Sequence, residues 1–351
     1  MKKSWILYGA NGYTGILLAK EAKENGLNPI IAGRSKEKIH PLAEKLDLEY
    51  LIFDLNDEDK LIDIFQNQDL ILNAAGPFKY TSKSIVNACL KSKAHYLDIT
   101  GEVPVFEENF KLNQQAIDSE IAIISGVGFD VVPTDCMASY IHTKIDNPIK
   151  LDIGVAGVDN LSRGTLKTMI EYFSSGSLIR RDGNLMLKKK DEYLDKIRFY
   201  DKDRKVLAVS WGDLATAFKT TSIPNITTYM PPSMSLLKLL KSSGTSLDGS
   251  SQGFDENKLL KYIEDNVYGP DENVRSEGTS HIWVSVSNQS GDKAEAWLET
   301  IEPYRFTVLS GIKAVEKVIN SNLKGSLTPS LAFGADFVLE FPDTTRHNSL
   351  D

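Results

Sequence analysis

Short apolar runs alternate with amphipathic stretches over the first 130 residues of the chain. The apolar runs have the length and composition of buried strands: Trp5–Tyr8, Pro29–Ala32, Tyr50–Phe53, Leu70–Ala74, Tyr96–Ile99 and Ile121–Ser125. Helical patterns lie between them, including Ser35–Leu46, Ser82–Lys93 and Val105–Ser119. Because strands that alternate with helices form parallel sheets, this region predicts a doubly wound α/β domain that binds its ligand at the carboxyl ends of the strands.

The pattern changes from about Pro133. Predicted elements are a strand at Leu151–Val158, a helix at Gly164–Ser175, a hairpin of His281–Asn288 with Ala294–Glu302, and a helix at Tyr304–Ser321. Residues 180–210 are rich in charge and predict a solvated, irregular segment, and residues 242–253 predict a flexible loop.

A chain of 351 residues exceeds the usual size of one hydrophobic core, so we expect two domains. The first is a Rossmann domain over residues 1–135. The second is an α/β (α+β) substrate domain over residues 136–326. Residues 327–345 are apolar enough to return to the first domain.

Composition narrows the possible partners. A net charge of −8 argues against non-specific attraction to nucleic acid or to an anionic membrane. No run of the sequence is long and apolar enough to span a bilayer, and the first strand follows Met1 too closely for a signal peptide. Two cysteines, Cys89 and Cys136, imply no disulfide framework. These features predict a cytoplasmic protein.

The stretch from Gly9 to Gly15 connects the first strand to the first helix through three glycines. Without Cβ atoms the backbone can approach a pyrophosphate, and the start of the helix offers N–H groups and a positive dipole end. The position inside a strand–turn–helix unit is the context that makes a glycine motif informative. The predicted phosphate-binding residues are Gly9, Asn11, Gly12, Tyr13, Thr14 and Gly15.

The end of the second strand indicates which dinucleotide binds. An NAD site has a carboxylate at this position, whereas this chain has Arg34 and Ser35, which suit the 2′-phosphate of NADP. Asp54, at the end of the third strand, either contacts adenine or caps the next helix. After the fourth strand, the small residues Ala75 and Gly76 and the stiff Pro77 predict the wall beside the nicotinamide.

With these residues, the chain resembles the saccharopine dehydrogenase-like oxidoreductases, and within them the branch that includes trans-acting enoyl reductases. The similar stretches are Gly9–Gly15, Ala32–Arg34, Asn73–Phe78, His95–Glu102, Gly128–Asp135, Arg163–Thr165, Leu327–Ser330 and Phe333–Gly334. The resemblance implies an NADP-binding Rossmann domain and a second α/β domain that shapes the substrate cleft.

Hydride transfer relies on the cofactor, so the protein needs to supply position and, where required, a proton. Tyr80, Glu102 and Asp130 lie at strand ends near the predicted nicotinamide site and are the candidate catalytic residues. Asp135 lies in the same region, but it equally fits the cap of a helix that starts near Cys136, and the cap is the preferred interpretation. The scattered histidines form no cluster with ligand spacing, so no metal is expected.

Tyr140 and Lys144 have the spacing of the catalytic pair of short-chain dehydrogenases, although two such residues four apart are common by chance.

The leading hypothesis is an NADP-dependent oxidoreductase that reduces a C=C, C=N or C=O bond of a small molecule or acyl chain. An enoyl version would use the apolar run Tyr229–Leu240 as a tunnel, but that run also fits an ordinary core helix. The alternative is a non-catalytic NADP-binding protein that senses redox state and regulates a partner. A homodimer is one assembly that the sequence leaves open.

Overall fold

A computed structural model describes residues 3–158, 161–167, 177–188, 194–232 and 256–350. The chain divides into two compact units. The first contains Met1–Cys136 and Tyr304–Phe341, and the second contains Met137–Pro303 and Pro342–Asp351. Strands and helices are numbered along the chain.

The first unit contains the strands β1 (Trp5–Tyr8), β2 (Ile30–Gly33), β3 (Tyr50–Ile52), β4 (Leu70–Asn73), β5 (His95–Asp98), β6 (Ala122–Ile124) and β16 (Gly325–Leu327). Its helices are α1 (Tyr13–Glu24), α2 (Lys36–Leu46), α3 (Glu58–Phe65), α4 (Ser82–Ser92), α5 (Val103–Lys111), α6 (Asn113–Asp118), α11 (Pro303–Ile319) and α12 (Pro329–Phe333). The helix α7 (Val132–Ile141) follows β6.

The seven strands of this unit form one parallel sheet in the order β16-β6-β5-β4-β1-β2-β3. The chain builds outward from β1 to β3 and then returns to place β4 on the other side of β1. This reversal opens a crevice at the carboxyl ends of β1 and β4, where doubly wound sheets bind ligands. The predicted parallel, doubly wound domain is confirmed.

Both faces of the sheet are covered by apolar side chains. On one face Leu7 and Leu72 belong to a buried cluster with Leu18 of α1 and Val315 of α11. On the other face a second cluster packs the strands against α3 and α4. Such two-sided burial is why the strands read as continuous apolar runs in the sequence.

The boundary of the second domain differs from the sequence expectation. Residues 304–326, placed with the substrate domain, belong to the first unit, because α11 contributes Val308, Ile312 and Val315 to the core of that unit. The strand β16 then extends the parallel sheet by pairing with β6. Of the residues 327–345, those up to Phe341 lie in the first unit and the remainder in the second.

The second unit contains the strands β7 (Lys150–Ala156), β8 (Leu178–Arg181), β9 (Asn184–Leu187), β10 (Lys196–Arg198), β11 (Asp203–Lys205), β12 (Leu207–Val209), β13 (Asn225–Met230), β14 (Thr279–Ser287), β15 (Lys293–Ile301) and β17 (Thr345–His347). Its helices include α8 (Asp213–Thr221), α9 (Glu256–Asn266) and α10 (Glu272–Glu277).

The main sheet of this unit is mixed, with the order β17-β15-β14-β7-β13-β8-β9 and β12 paired to β13. The β7–β13 pair is parallel, and the predicted β14–β15 hairpin is antiparallel over nine residue pairs. A mixed sheet with helices agrees with the expected α/β (α+β) class of this unit.

The composition of residues 180–210 predicts a solvated, irregular segment. The part of it that the structure describes instead contains short strands with buried side chains. These strands bury Ile197, Phe199, Val206 and Ala208 in a cluster with the tryptophans of the main sheet. Charged residues separate these apolar positions in the sequence, so the composition of the segment did not indicate that it is partly buried. The expected loop at 242–253, residues 168–175 of the expected helix, and residues 233–240 of the apolar run Tyr229–Leu240 lie outside the described residues.

No helix among the described residues is both long enough and apolar enough to cross a bilayer.

Candidate functional site

The turn after β1 is held close to the backbone that follows β4. Gly9 has a φ of 83°, which favours glycine, and a Cβ on it would lie 2.7 Å from the amide nitrogen of Ala75. The amides of Gly9 and Ala10 donate to the carbonyl oxygen of Ala32 at 2.9 and 3.2 Å. The strand ends on both sides of the crevice are therefore packed backbone to backbone.

The helix α1 starts at this turn without a capping hydrogen bond from a side chain. Its N-cap is Gly12, no side chain caps it, and its first turn contains no acidic residue. A Cβ on Gly15 would lie 2.3 Å from the carbonyl oxygen of Gly9, so only glycine permits this approach of helix to turn. The helix dipole end is thus open to an anion, as dinucleotide phosphates require.

Arg34 follows β2 at the same edge of the sheet. Its side chain is exposed and forms no ion pair with any residue in the described ranges. Burial raises the pKa of the neighbouring Tyr8 to about 12, while Arg34 lowers it and Asp54 raises it. Arg34 and Asp54 therefore both lie within electrostatic reach of the end of β1.

The neighbours of Arg34 have defined contacts. The Ser35 hydroxyl donates to the carboxylate of Glu37 at 2.8 Å, although Ser35 does not cap α2 with its side chain. The Asn11 Oδ1 atom lies 3.0 Å from the position that a Cβ on Gly33 would occupy. The glycine turn and the end of β2 are thus adjacent.

Asp54 does not cap the helix that follows it. Its carboxylate accepts the amide of Asn56 at 2.9 Å, and the cap of α3 is Asp57, which accepts the amide of Lys60. The helix-cap interpretation of Asp54 is therefore wrong. The exposed carboxylate remains at the end of β3, on the edge of the sheet that carries Arg34.

The loop after β4 is fixed by hydrogen bonds at both ends. The Asn73 side chain accepts the amide of Ala75 at 3.0 Å, and the Thr81 hydroxyl donates to the Ala75 carbonyl at 2.8 Å. Gly76 is exposed and Pro77 is partly buried. This loop presents a small, ordered surface at the carboxyl end of β4.

Glu102 holds the next part of that loop in place. It is buried, and its two carboxylate oxygens accept the amides of Phe78 at 2.6 Å and Lys79 at 2.9 Å. A carboxylate that accepts two backbone amides positions a loop. Tyr80, next along the chain, is 66% exposed, and the Lys79 ammonium lies 4.7 Å from its ring centroid.

Replacing Glu102 with alanine is expected to destabilise the protein by about 1–3 kcal/mol, because two amides lose their acceptor. The free energy of unfolding from urea denaturation measures the effect. Glu108→Ala, on the exposed face of α5, is the control, since Glu108 forms a surface ion pair with Lys111, which contributes little to stability. Equal stabilities for the two variants would contradict the bracing role of Glu102.

Asp130 lies on the loop after β6 and faces the end of β5. A Cβ on Gly101 would be 2.8 Å from its Oδ2 atom, so the carboxylate rests against the backbone next to Glu102. Burial raises the pKa of Asp130 to about 6, and no hydrogen bond to it is found among the described residues. A carboxyl group with a pKa close to neutrality is suited to exchange a proton.

A network of buried polar side chains lies behind these loops, and it was not predicted from the sequence. The carboxylate of Asp98 accepts from the amides of Thr100 and Gly126 and from the hydroxyl of Ser125. Burial nevertheless raises the pKa of Asp98 to about 6, because desolvation outweighs these bonds.

The network continues from Ser125 toward β4. Its members are joined by hydrogen bonds in the order Ser125, Asn109, Ser82, Tyr96 and Asn73. Asn73 also orders Ala75. The only sequence signal was the presence of polar residues at the ends of β4, β5 and β6.

Two other sequence interpretations change. Asp135 lies within the first turn of α7, which begins at Val132, and is not its cap; its carboxylate accepts the amide of Ser330 at 2.8 Å. The Tyr140 hydroxyl donates to Asn348 at 2.7 Å, and its ring is contacted by the cations of Lys144 and Arg346. Tyr140 therefore fastens the end of the chain within the second unit.

No group of three or more histidine, cysteine, aspartate or glutamate side chains within the described ranges is arranged to hold a metal ion.

The sheet order, the glycine turn and the start of α1, which has no side-chain cap, define a dinucleotide-binding domain of the Rossmann type. All the predicted site residues lie at the carboxyl edge of its sheet. Residues 5–124 match the family model of the saccharopine dehydrogenase NADP-binding domain.

Individual relatives extend this result. A human saccharopine dehydrogenase-like oxidoreductase is 26% identical over 208 residues, which cover 51% of this chain and 48% of that protein. A trans-acting enoyl reductase of Mycobacterium ulcerans is 28% identical over 147 residues, or 40% of this chain and 35% of the relative. The chain thus spans about half the length of the curated relatives it matches.

Among solved structures, the apo saccharopine dehydrogenase (L-Glu forming) of Saccharomyces cerevisiae superimposes with a TM-score of 0.60 at 11% identity. The match covers 98% of this chain and 99% of the yeast chain, and it shows a shared fold.

Proposed function

We propose that this protein is an NADP-dependent oxidoreductase that reduces a C=C, C=N or C=O bond of a small molecule or acyl chain. The observation that carries the proposal is the cradle between Gly9 and Gly15, where added Cβ atoms would collide with backbone. Its shape fits a pyrophosphate. Bound NADPH would supply the hydride. The residues of the chain would bind the cofactor, orient the substrate and donate a proton to it.

The cofactor residues are proposed from their positions around the crevice. The start of α1, from Gly12 to Gly15, faces the pyrophosphate, and the exposed guanidinium of Arg34 binds the 2′-phosphate. Asp54 lies on the adenosine side. Ala75, Gly76 and Pro77 form the ordered wall beside the nicotinamide, with Asn73 and Thr81 holding that wall from behind.

Asp130 is the proposed proton donor. Its carboxyl group combines a pKa of about 6 with the absence of a competing hydrogen bond in the described structure. Glu102 is better explained as a positioning residue, because both of its oxygens are occupied by loop amides. Tyr80 is exposed and near Lys79, so it remains a second candidate for contact with substrate.

The bond that is reduced is a finer question. One relative is named a trans-acting enoyl reductase, which supports reduction of a conjugated C=C bond. Arginines that could bind a substrate carboxylate are partly committed elsewhere: Arg180 is buried and donates to the carbonyls of Leu214 and Gly183. We therefore favour enoyl and other carbonyl-conjugated substrates over amino-acid imines.

Mixing the purified protein with NADPH and panels of enoyl thioesters, keto acids and imines tests this proposal. Oxidation of NADPH with one panel, followed by absorbance, would identify the reaction class. Tight NADPH binding without oxidation in any panel would instead favour a non-catalytic redox sensor. Cytoplasmic location and a homodimer stay predictions; one relative is named a lipid droplet localized protein and another a probable mitochondrial one.

Replacing Arg34 with alanine is expected to weaken NADPH binding by about 10–100-fold, since charged hydrogen bonds to phosphate are worth ~1.5–3 kcal/mol. Binding of NADH should change little, because NADH has no 2′-phosphate. Calorimetric titration of both cofactors measures the difference. Lys45→Ala, exposed near the far end of α2, is the control, and an unchanged NADPH affinity in Arg34→Ala would reject the assignment.

A further inference from the structure

The second unit contains a cavity that the proposed NADP chemistry does not use. It has a volume of about 300 Å³ and opens between the ends of three sheet strands and the turn of the β10–β11 hairpin. Its lining consists of Ala156, Gly157, Val158, Asp201, Lys202, Arg204, Met230, Pro231, Thr279 and His281. This volume lies at the lower end of the range for ligand pockets.

The charges of the lining are unbalanced. Arg204 binds the Asp201 carboxylate through two contacts, at 2.5 and 2.7 Å, so these two charges neutralise each other. Lys202 is exposed and has no ion pair with any residue that the structure describes. Among the described residues that line the cavity, Asp201 is the one acidic side chain, so these lining residues carry a net positive charge of one; Glu299 lies behind His281.

His281 adds a buried polar group to this cavity. It is only 7% exposed, and its Nδ1 atom has no hydrogen-bond partner within the described part of the chain. The ring lies between two carboxylates: Nε2 is 3.6 Å from Asp201 Oδ2, and Nδ1 is 3.5 Å from Glu299 Oε1. A nine-tenths buried imidazole without a hydrogen bond at Nδ1 lines a cavity of ligand size.

The surroundings of His281 set its protonation. Burial lowers its pKa, as do Arg204 and Lys202, while Asp201 and Glu299 raise it. An anion beside Lys202 and Arg204 would offset the two cations that disfavour the imidazolium. Anion binding and proton uptake by His281 are therefore coupled in the same direction.

We propose that this cavity binds the oxyanion end of a small ligand, a carboxylate or a phosphate. Lys202 supplies a free positive charge, Arg204 supplies the N–H groups not used by Asp201, and His281 supplies a ring N–H. Thr279 provides a further polar lining group. The proposal is independent of NADPH and of turnover.

Histidine-selective NMR on the full-length protein tests the proposal, because the chain contains only five histidines. The probes are succinate and inorganic phosphate, with succinamide as the uncharged analogue. The His281 ring signal is assigned with single variants of the other histidines. We expect a saturable shift of this signal with an anion, a rise in its pKa, and tighter binding at pH 6 than at pH 7.5.

Lys202→Ala is expected to weaken anion binding by about tenfold or more, since a charge-assisted contact is lost. Lys205→Ala on the same hairpin, outside the cavity lining, should bind as the unmodified protein does. Binding of only one anion would support the proposal and identify the group recognised. No saturable shift with either anion, an equal shift with succinamide, or full affinity in Lys202→Ala would overturn it.

Discussion

Gly15→Ala is expected to weaken NADPH binding by about 100-fold or more, equivalent to ~2.7 kcal/mol. The new Cβ would lie 2.3 Å from the Gly9 carbonyl oxygen and 2.8 Å from the Ala10 Cα atom, and neither backbone atom can rotate away. The start of α1 must therefore move from the turn that it closes. Overpacking of this kind also costs about 1–3 kcal/mol of stability.

Fluorescence titration with NADPH measures the affinity, and circular dichroism confirms that the variant is folded. Gly26→Ala is the matched control at the other end of α1. Gly26 has a φ of 71° and an open environment, so alanine there is strained but meets nothing within 4 Å. Unmodified NADPH affinity in Gly15→Ala would mean that the pyrophosphate does not bind at this helix.

Asp130→Asn is expected to lower kcat for reduction by about 10²–10⁴-fold, the usual contribution of a general acid. Asparagine keeps the shape of the side chain against Gly101 but cannot donate a proton from a carboxyl group. The affinity for NADPH should not change. Steady-state kinetics, on the substrate identified by the panels, separates the two effects.

The pH dependence of turnover gives a second test of Asp130. With a pKa raised to about 6, the acid form is present below that pH and is lost as pH rises through it. In the direction of reduction, kcat should therefore fall above pH ~6, by tenfold per unit at its steepest. The fall should disappear in Asp130→Asn and persist in Asp118→Asn, which changes an exposed aspartate of α6. A profile that is identical in Asp130→Asn would assign the proton to another group.

The strands of the first unit could be predicted because each is buried on both faces. Trp5–Tyr8 is the same in the sequence interpretation and in the structure, and the ends of the other five predicted strands differ by at most one residue. The strand β16 could not be predicted, since Gly325, Ser326 and Leu327 have no periodic pattern. Only its pairing with β6 makes it a strand.

The candidate site was predictable where backbone geometry requires a residue type. Gly9 and Gly15 are required by close approach, and that requirement is local. The difference between Glu102 and Asp130 was not predictable, because both are acidic residues after a strand. Only the structure shows that two amides occupy Glu102, whereas no hydrogen bond to the desolvated Asp130 carboxylate comes from the residues that the structure describes.

The first unit is assembled from two segments that are far apart in the sequence, and this affects its biogenesis. A nascent chain that has emerged only to Cys136 lacks α11 and β16. The apolar surface of α1 near Leu18 is then uncovered, and β6 is left as an open edge. The nucleotide-binding half can reach its native state only after the ribosome has passed the segment that ends at Phe341, so the earliest part of the chain is among the last to be completed.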